Sequence, residues 1–549
     1  MSSARAAALA LAGIALMGAG AAGCGDDDDA ATAPKAVPGA AAILSGALAY
    51  ELVPHRSGAD GLDYGAIARR PIRGARVQLV AADGGAVLAE TTAGEDGRYS
   101  FSFEGPARVK LWVHAETVEP SIVVEDNTAE DAVYVLESPV VEANGEAALD
   151  VVATTGWGGA SYTGPRAAAP FAILDAAYGA SRRFLDEISP PPAFPPLQIN
   201  WSVNNRPEGG ENAVGQIGTS HWDERELYVL GKDGVDTDEF DTHVLVHEWG
   251  HSFESRLSRA DSLGGAHAHG DLLDPRVAFS EGACTALSAI VLDPDTVYAD
   301  AMGPGQAEGF FWDVEKNDAS VEGLPGWYAE ASVESIVFDL YDDAHDAHDA
   351  HDAHDAQDHA EPFDEVALGL APLYEAMVSD LPETPALATL FPLVAALKAR
   401  RPAEAAAIDA LTAHHAASAE FGLDAISDAW GTGETHSGGI AGSLPIYAEG
   451  EIGGSLTLSL TGGEGYNTLA QNRYVRFTGD GAPVTVSVAS AHDVDVYVHR
   501  RGDVIQFGAS AATSEQVTFA TQAGQVYVIN VQGFGEPAED YPVTVGIAH

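Results

Sequence analysis

Alternating apolar and polar residues fill the chain directly after residue 40. The alternation is clearest at 75–81 (ARVQLVA), 98–103 (RYSFSF) and 108–115 (RVKLWVHA), and turn-forming runs such as 95–97 (EDG) separate these stretches. Such alternation places every second side chain on one face of a strand, and turns at this short spacing are typical of all-β sandwiches. We therefore predict an N-terminal β-sandwich over residues 41–140.

The same pattern returns at the C-terminal end of the chain. Stretches 455–460 (SLTLSL), 484–490 (VTVSVAS) and 525–533 (QVYVINVQG) alternate in the same way. Turn residues again separate the stretches, as expected for several short antiparallel strands. This part of the chain, residues 444–549, is predicted to form a second β-sandwich.

Residues 145–440 begin with a mixture of strand-like and helix-like patterns, and further along the apolar residues recur at helical spacing. Beginning at Leu245, an apolar side chain recurs at every fourth position, and a second helix is predicted to start at Asp274, whose following proline suits a first turn. Asp236 and Glu239 have the spacing of a capping box, which predicts the start of the first helix there. The chain is therefore predicted to be multidomain α+β, with a mixed central domain whose C-terminal half is helical.

One segment of the central part has low complexity. Residues 343–359 read DAHDAHDAHDAHDAQDH and contain no large apolar residue, so they cannot contribute to a core. A period of three also gives no constant face on a helix of 3.6 residues per turn. We predict a disordered insertion, with loose zinc binding by its histidines and aspartates as the alternative.

The first 24 residues carry a targeting pattern. Arg5 precedes a short apolar run, and small residues lead up to Cys24. The run is too short to span a membrane, which is typical of a cleaved signal peptide. We predict a signal peptide over 1–23 and a polar tether over 24–40, and hence export from the cell. The chain has two cysteines, Cys24 and Cys284. Because Cys24 lies at the predicted processing site, Cys284 is left without a partner for an intrachain disulfide.

The residues that lead up to Cys24 resemble the lipobox of bacterial lipoproteins. This resemblance implies that Cys24 becomes the first residue of the mature protein and carries a lipid anchor to a bacterial membrane or cell surface. An ordinary secretory signal, which would release the protein outside the cell, is the alternative.

The formal net charge is −55. Nucleic acids and anionic lipid surfaces would be repelled by such a chain, so we exclude nucleic acid as a partner and expect membrane contact only through the lipid anchor. Two interpretations of Asp493 and Asp495 stay open. Either they bind Ca2+, or they are the solvated face of a strand.

Residues 243–253 (HVLVHEWGHSF) contain two histidines four positions apart, with a glutamate directly after the first. On a helix this spacing brings His247 and His251 to one metal ion and leaves Glu248 beside its open position. The sequence therefore predicts a Zn2+ site with Glu248 as the general base of a hydrolase.

A catalytic zinc ion needs a third protein ligand. The run Phe279-Ser280-Glu281-Gly282-Ala283 resembles the third-ligand helix of gluzincin metallopeptidases, which implies a zincin-like central domain with Glu281 as that ligand. The sequence departs from the better-known gluzincins in two ways: His251 and Glu281 are 30 positions apart, and a threonine follows at position 285. Four other residues stay open as ligands or supporting groups: His267, His269, Asp271 and Asp274.

Two further resemblances concern the β-rich ends. Residues 74–79 and 92–101 resemble the carboxypeptidase regulatory-like repeat, and 493–503 (DVDVYVHRRGD) with 523–534 (AGQVYVINVQGF) resemble the pre-peptidase C-terminal domain of secreted bacterial proteases. The first resemblance implies a spacer or adhesion module without catalysis, and the second a small β-sandwich.

The predicted activity is zinc-dependent hydrolysis of peptide bonds in a peptide or protein, most simply as an endopeptidase. Residues 226–230 predict a cleft strand that pairs with an extended substrate. Tyr328, in the predicted helix at 326–343, is the candidate donor to the oxyanion, and Cys284 is expected to pack rather than to act as a nucleophile. The alternatives are an inactive surface binding or adhesion lipoprotein, and a zinc hydrolase of a non-peptide substrate.

Overall fold

The computed structural model describes residues 41–105, 107–315, 325–342, 366–415, 421–463, 465–534 and 539–549. The predicted signal peptide, Cys24, the tether and the Asp-Ala-His repeat all lie outside these residues. Within the described residues, none of the helices combines the length and the hydropathy that crossing a membrane requires.

The strands that precede the first helix follow the alternation of the sequence. Along Ala107–Thr117, for example, every second residue from Val109 onward is buried, as expected for a strand with one face on a core. The strands are β1 Ala41–Leu52, β2 Ala68–Pro71, β3 Ala75–Ala81, β4 Val87–Thr92, β5 Arg98–Glu104, β6 Ala107–Thr117, β7 Ile122–Asp126, β8 Ala132–Val133, β9 Val135–Glu137, β10 Val141–Ala143, β11 Glu146–Ala148 and β12 Val151–Ala153.

The central part begins with mixed elements and then becomes helical. Its elements are α1 Ala169–Glu187, β13 Leu197–Trp201, β14 His221–Trp222, β15 Leu227–Val229, β16 Gly231–Lys232, β17 Asp236–Thr237, α2 Thr242–Leu257, α3 Pro275–Leu292, β18 Val297–Met302, β19 Glu308–Asp313, α4 Glu330–Tyr341, α5 Leu370–Glu375, α6 Leu390–Arg400 and α7 Ala405–His414. A wider helical turn, Ala376–Asp380, continues α5.

One sheet joins the N-terminal strands to the central part. Its main path runs in the order β14-β15-β13-β7-β6-β3-β4, and β13 lies parallel to β7, with Leu197 opposite Ile122. The sheet therefore runs across the boundary that the sequence predicts near 140–145. A second, smaller sheet is built around β1, which pairs with β2, β5, β11 and β12. Side chains from both parts belong to one continuous core.

The C-terminal part is a sandwich of two sheets with its own core. One sheet has the order β20-β22-β27-β24-β25 and the other β21-β28-β23-β26, and valine and isoleucine side chains from both sheets fill the space between them. The strands are β20 Tyr447–Glu449, β21 Gly454–Leu460, β22 Asn472–Thr478, β23 Pro483–Ser490, β24 Val494–Arg500, β25 Asp503–Gly508, β26 Ser514–Ala520, β27 Val526–Gly533 and β28 Tyr541–Ala548. The predicted multidomain α+β fold class is confirmed.

Helix α3 is buried on almost every side, between α2 and α4. A helix that is apolar all round lies inside a protein, and its few polar side chains therefore face other interior groups. Its predicted start is confirmed: Asp274 caps the helix by accepting a hydrogen bond from the backbone N–H of Arg276.

The predicted start of α2 is wrong. Asp236 belongs to β17, which pairs with β16 and β18, and the helix begins only at Thr242, after Asp241. The capping-box spacing misleads because the Glu239 carboxylate does not bond the backbone N–H of Asp236, as a capping box requires. It forms a buried ion pair with Arg166, 2.6 Å away.

Candidate metal centre

Helix α2 presents His247 and His251 on one face, one turn apart. Their Nε2 atoms lie 3.0 Å from each other. The Oε2 atom of Glu281, on α3, lies 3.3 Å from the first of these nitrogens and 3.2 Å from the second. The structure thus brings together the three residues that the sequence assigned to zinc.

Two glycines allow the helices of the site to lie this close. A Cβ atom at Gly250 would come within 3.1 Å of the Cys284 sulfur, and one at Gly282 would lie only 2.6 Å from the backbone oxygen of Glu330. A larger residue at Gly282 would force α3 and α4 apart. The glycines next to the second histidine and to Glu281 therefore serve helix packing.

The donor atoms fit a metal ion. Tetrahedral zinc with bonds of about 2.0–2.1 Å places its ligand atoms about 3.3–3.4 Å apart, close to the separations found here. Two imidazoles and one carboxylate also form a donor set that zinc accepts in catalytic sites, where a fourth position stays open. His247, His251 and Glu281 are therefore a group that could hold a metal ion.

Further side chains orient the two histidines. The Nδ1 atom of His247 lies 3.0 Å from the Thr285 hydroxyl, and the Nδ1 atom of His251 lies 3.3 Å from both the Ser280 hydroxyl and the Cys284 sulfur. With Nδ1 held by these partners, each Nε2 atom is directed at the shared point. Such outer contacts fix the ring orientation of a metal-binding histidine.

The charges of the site are balanced within it. Burial alone would raise the pKa of Glu281, but the facing imidazoles of His251, His247 and His267 hold it well below its usual range. Burial raises the pKa of Cys284 to about 12, so this thiol stays protonated near neutral pH. The prediction that Cys284 packs in the interior is confirmed by its burial.

Glu248 faces the edge of the large sheet. Its carboxylate accepts a hydrogen bond of 3.0 Å from the backbone N–H of Trp222 on β14. The predicted cleft strand at 226–230 is present as β15, but it is an inner strand because β13 and β14 pair with its two sides. The edge strand is β14, and the Trp222 N–H points away from the sheet toward Glu248.

The loop between α2 and α3 also reaches the site. The Nε2 atom of His267 lies 3.4 Å from Glu281 and 3.9 Å from Glu330, while His269 lies 3.2 Å from Glu334. The hydrogen bond to Glu281 raises the pKa of His267 to about 9. Both loop histidines therefore face glutamates of α3 and α4, while the His267 side chain stays 26% exposed.

Tyr328 and Tyr298 have different surroundings. The Tyr328 hydroxyl donates to the backbone oxygen of Pro325, 3.1 Å away, and its ring packs against Gly438. The Tyr298 ring lies 6.1 Å from the His247 ring, and its pKa is raised by burial and by the charges of Asp300 and Glu248. Tyr298 on β18 is thus the tyrosine that lines the site.

Asp271 and Asp274 do not face the histidines of α2. The carboxylate of Asp271 accepts a hydrogen bond from the backbone N–H of Ala268, inside the loop, and Asp274 caps α3 and pairs with Arg276 at 2.9 Å.

In the C-terminal sandwich, Asp495 accepts a hydrogen bond from the Tyr497 hydroxyl. Within the described residues, neither Asp493 nor Asp495 belongs to a group of three metal-ligating side chains.

Sequence reasoning missed three contributors to the site, namely Glu330, Tyr298 and Trp222. A local signal existed for Glu330, because two glutamates one turn apart in an otherwise apolar helix indicate a buried polar site. Tyr298 and Trp222 carry no such signal, since strand pairing far along the chain brings them to α2.

No family model matches this chain, and no curated protein matches it. Solved structures that it resembles include the pre-peptidase C-terminal domain of a Bacillus anthracis collagenase, at 13% identity over 18% of this chain and 93% of that domain, with a TM-score of 0.16. A periplasmic inhibitor of g-type lysozyme from Aeromonas hydrophila matches at 14% identity over 18% of this chain and 95% of its own, with a TM-score of 0.14. A Cyanothece 9R-lipoxygenase matches at 9% identity over 48% of this chain and 27% of its own, with a TM-score of 0.13. At TM-scores this low, none of these proteins informs on the activity of this chain.

Proposed function

We propose that the protein is a zinc-dependent metallopeptidase. The observation that carries this proposal is the convergence of His247 Nε2, His251 Nε2 and Glu281 Oε2 on one point, beside Glu248. Three ligands with one open position are what a catalytic zinc site requires, whereas a structural site closes all four positions with protein ligands.

Zinc is the metal that this donor set favours. Imidazole nitrogen suits zinc, copper, iron and nickel, while magnesium and calcium prefer oxygen ligands alone. The three ligand atoms are 3.0–3.3 Å apart, close to the separation of ligand atoms around tetrahedral zinc. When bound there, zinc supplies an activated water at neutral pH and polarises the carbonyl of the bond to be cleaved.

Glu248 is the proton carrier in this proposal. Glu248 follows the ligand His247 on α2, and within the described residues its carboxylate accepts one hydrogen bond, from the Trp222 N–H. It accepts a proton from the attacking water and passes this proton to the leaving amine. To act as a base, the Glu248 carboxylate must exchange the hydrogen bond from Trp222 for one from the attacking water.

The substrate is an extended peptide. The Trp222 N–H is directed away from β15, so β14 offers it on the open edge of the large sheet. An extended chain laid along this edge would pair with it through main-chain hydrogen bonds, which is the usual way of adding a strand to a sheet. The reacting carbonyl would then lie between Glu248 and the metal ligands.

The oxyanion donor in this proposal is Tyr298 rather than Tyr328. Tyr328 uses its hydroxyl for a backbone contact in the core. Tyr298 lies among Glu248, Glu330 and His247, and burial keeps its hydroxyl protonated by raising its pKa. A protonated hydroxyl beside the metal ligands can donate to an oxygen that gains negative charge.

The place of action is proposed from the sequence alone. The signal-like residues 1–23 and Cys24 favour an exported, lipid-anchored bacterial protein. Hydrolysis outside the cell also agrees with the net charge of −55, because an acidic coat keeps an exposed protein soluble.

The test combines metal content with hydrolysis of casein, an unstructured protein. The full chain, Glu248→Gln and the control Glu224→Gln, an exposed glutamate near the same edge strand, are each assayed for bound zinc and for cleavage. We expect one zinc ion in all three proteins and a loss of at least about 1,000-fold in cleavage only for Glu248→Gln, because it removes the general base.

Stoichiometric zinc without Glu248-dependent cleavage would refute the peptidase proposal and leave a binding or adhesion protein. Zinc together with Glu248-dependent hydrolysis of small esters or amides, but not of casein, would identify a hydrolase of non-peptide substrates.

A further inference from the structure

Three aspartates meet beside the start of α2, on the small sheet formed by β16, β17, β18 and β19. Asp236 lies on β17, Asp238 follows two positions later, and Asp300 lies on β18. One carboxylate oxygen of each residue lies within 4.8 Å of the others. Residues more than sixty positions apart thus contribute to one cluster of negative charge.

One oxygen of each of these carboxylates has no hydrogen-bond donor. Asp238 is only 3% exposed. Its Oδ1 atom, like those of Asp236 and Asp300, is buried and has no hydrogen-bond partner within the described part of the chain. The other oxygen of Asp238 accepts a hydrogen bond from the Ser220 hydroxyl, and Asp236 receives one from the backbone N–H of Thr237. A buried acceptor left without a donor destabilises the fold, and more so when it is charged.

The neighbouring acids do have partners. Glu239 pairs with the guanidinium of Arg166 at 2.6 Å. Asp241 lies 2.8 Å from His55 Nε2 and accepts a hydrogen bond of 2.9 Å from the backbone N–H of Ala301. The Arg166 guanidinium and the His55 imidazole are therefore already engaged by acids outside the cluster.

Protonation follows from this isolation. Burial and the negative charges of Asp241 and Asp236 raise the pKa of Asp300 to about 8. Burial likewise raises the pKa of Asp236 to about 6 and that of Asp238 well above its usual range. The cluster is thus stable at neutral pH only with bound protons or with a bound cation.

The positive end of α2 does not explain the cluster. A helix N-terminus offers the equivalent of about half a positive charge, against three carboxylates. No Oδ1 atom of the three accepts a backbone N–H of the helix. The loop cluster of Asp424 and Glu434 shows the contrast, because backbone N–H groups of Thr435 and His436 satisfy it.

We propose that Asp236, Asp238 and Asp300 bind a calcium ion. The donor set contains oxygen only, which disfavours zinc. Calcium binds oxygen at about 2.3–2.6 Å in irregular geometries with six to eight ligands, so that oxygens on opposite sides of one ion are about 4.6–5.2 Å apart. Three oxygens within 4.8 Å of one another can therefore share one calcium ion. Magnesium, at about 2.0–2.1 Å in a strict octahedron, usually keeps several waters and is bound through only one or two carboxylates.

A calcium ion here would link β18 to the entry of α2. Strand β18 carries Tyr298, and α2 carries His247, whose rings lie 6.1 Å apart. The ion would therefore stabilise one wall of the metal centre. The proposal does not rest on peptidase activity, since it follows from the aspartates alone.

The test uses the full chain, stripped of metals by a chelator and then desalted. Calcium binding is measured by calorimetry, and thermal unfolding is followed with and without 1 mM Ca2+. We expect one Ca2+ per chain and a rise of several degrees in Tm, because an ion that binds only the folded state stabilises it by mass action.

The variants Asp300→Asn and Asp238→Asn should lose this calcium-dependent rise. Both should also unfold at a higher temperature than calcium-free wild type, because an amide is neutral without having to bind a proton. Asp424→Asn is the matched control from the satisfied loop cluster and should keep the full rise. His247→Ala should keep it as well, which separates calcium from the zinc-type centre.

An unchanged Tm of wild type in Ca2+, or an equal rise in Asp300→Asn, would overturn the proposal. So would loss of the rise in Asp493→Asn alone, which would move the calcium site to the C-terminal sandwich, or a rise with Mg2+ or Zn2+ but not Ca2+. If the asparagine variants fail to fold, Tb3+ luminescence of wild type decides. Tyr298, two positions before Asp300, stacks on Trp312 with 4.4 Å between ring centres, and this pair is the expected sensitiser; Ca2+ should displace one Tb3+ per chain.

Discussion

Two clusters of potential ligands lie near the same helix, and they handle charge in opposite ways. At the metal centre, one carboxylate, Glu281, faces three imidazoles that hold its pKa well below the usual range. At the acidic cluster, the carboxylates face one another, and burial raises their pKa values. In the first cluster the imidazoles offset the charge of Glu281, while the second cluster can be neutralised only by bound protons or by an ion from outside.

This difference teaches what each ion would do. A balanced site can form before its metal arrives, and zinc bound there would supply the chemistry of hydrolysis. An unbalanced buried site loses stability without its ion, so calcium adds stability rather than chemistry. The two ions should therefore be separable by experiment, although their sites lie on neighbouring parts of the fold.

Among the variants, Glu281→Gln is expected to separate zinc binding from the calcium response most strongly. The change removes the only negative ligand of the zinc-type centre and should weaken zinc binding by more than about 100-fold, beyond the range of outer-shell changes. Peptide hydrolysis should be lost with it. The calcium-dependent rise in Tm should remain. Zinc affinity is measured by chelator competition.

Asp300→Asn is the matched opposite of this variant, with zinc kept and the calcium response lost. If either variant loses both ions, the two sites are coupled and the contrast between them fails.

A smaller effect is expected from Thr285→Val, which removes the hydroxyl that lies 3.0 Å from His247 Nδ1. Without this contact the imidazole is less well oriented, and zinc affinity should fall by about 10–100-fold. Excess zinc should restore hydrolysis to near the wild-type rate. Thr285→Ser, which keeps the hydroxyl, should bind zinc like wild type. A full loss of hydrolysis at saturating zinc would instead assign Thr285 a part in the reaction.

The smallest effect concerns the support of α3 by the C-terminal sandwich. The Tyr474 hydroxyl donates to Asp274, the cap of α3, and this interaction is buried. Tyr474→Phe should lower the free energy of unfolding by about 1–3 kcal/mol, measured in urea, because the aspartate loses a donor. The exposed Tyr466→Phe serves as control and should change little. Zinc and calcium affinities should stay close to wild type in both variants.

The sequence predicted the parts of the site that depend on one helix. His247, Glu248 and His251 are neighbours through the period of 3.6 residues, which holds wherever the helix lies. Glu281 was predicted as a ligand because its helix resembles the third-ligand helix of gluzincin metallopeptidases. The two helices and the C-terminal sandwich followed from local patterning in the same way.

The rest of the site could not be predicted because it depends on distant contacts. The spacing of Asp236 and Glu239 suggested a helix cap, but Arg166 draws Glu239 into a buried pair. Tyr328 looked suitable for the oxyanion by position, yet its hydroxyl is used by the backbone. Local propensity carries no information on which interior partner a side chain will find.

The sequence by itself therefore determined the alternating strands, the ligand-bearing helices and the pair of histidines with their glutamate, because each of these is a repeat over a few residues. Only the tertiary structure decided that β7 and β13 join the N-terminal strands to the central sheet, that β14 forms the open edge, and that Asp300 meets Asp236 and Asp238. The physical reason is that strand pairing and burial act between residues far apart in the chain, and they set both where charge accumulates and where an ion is needed.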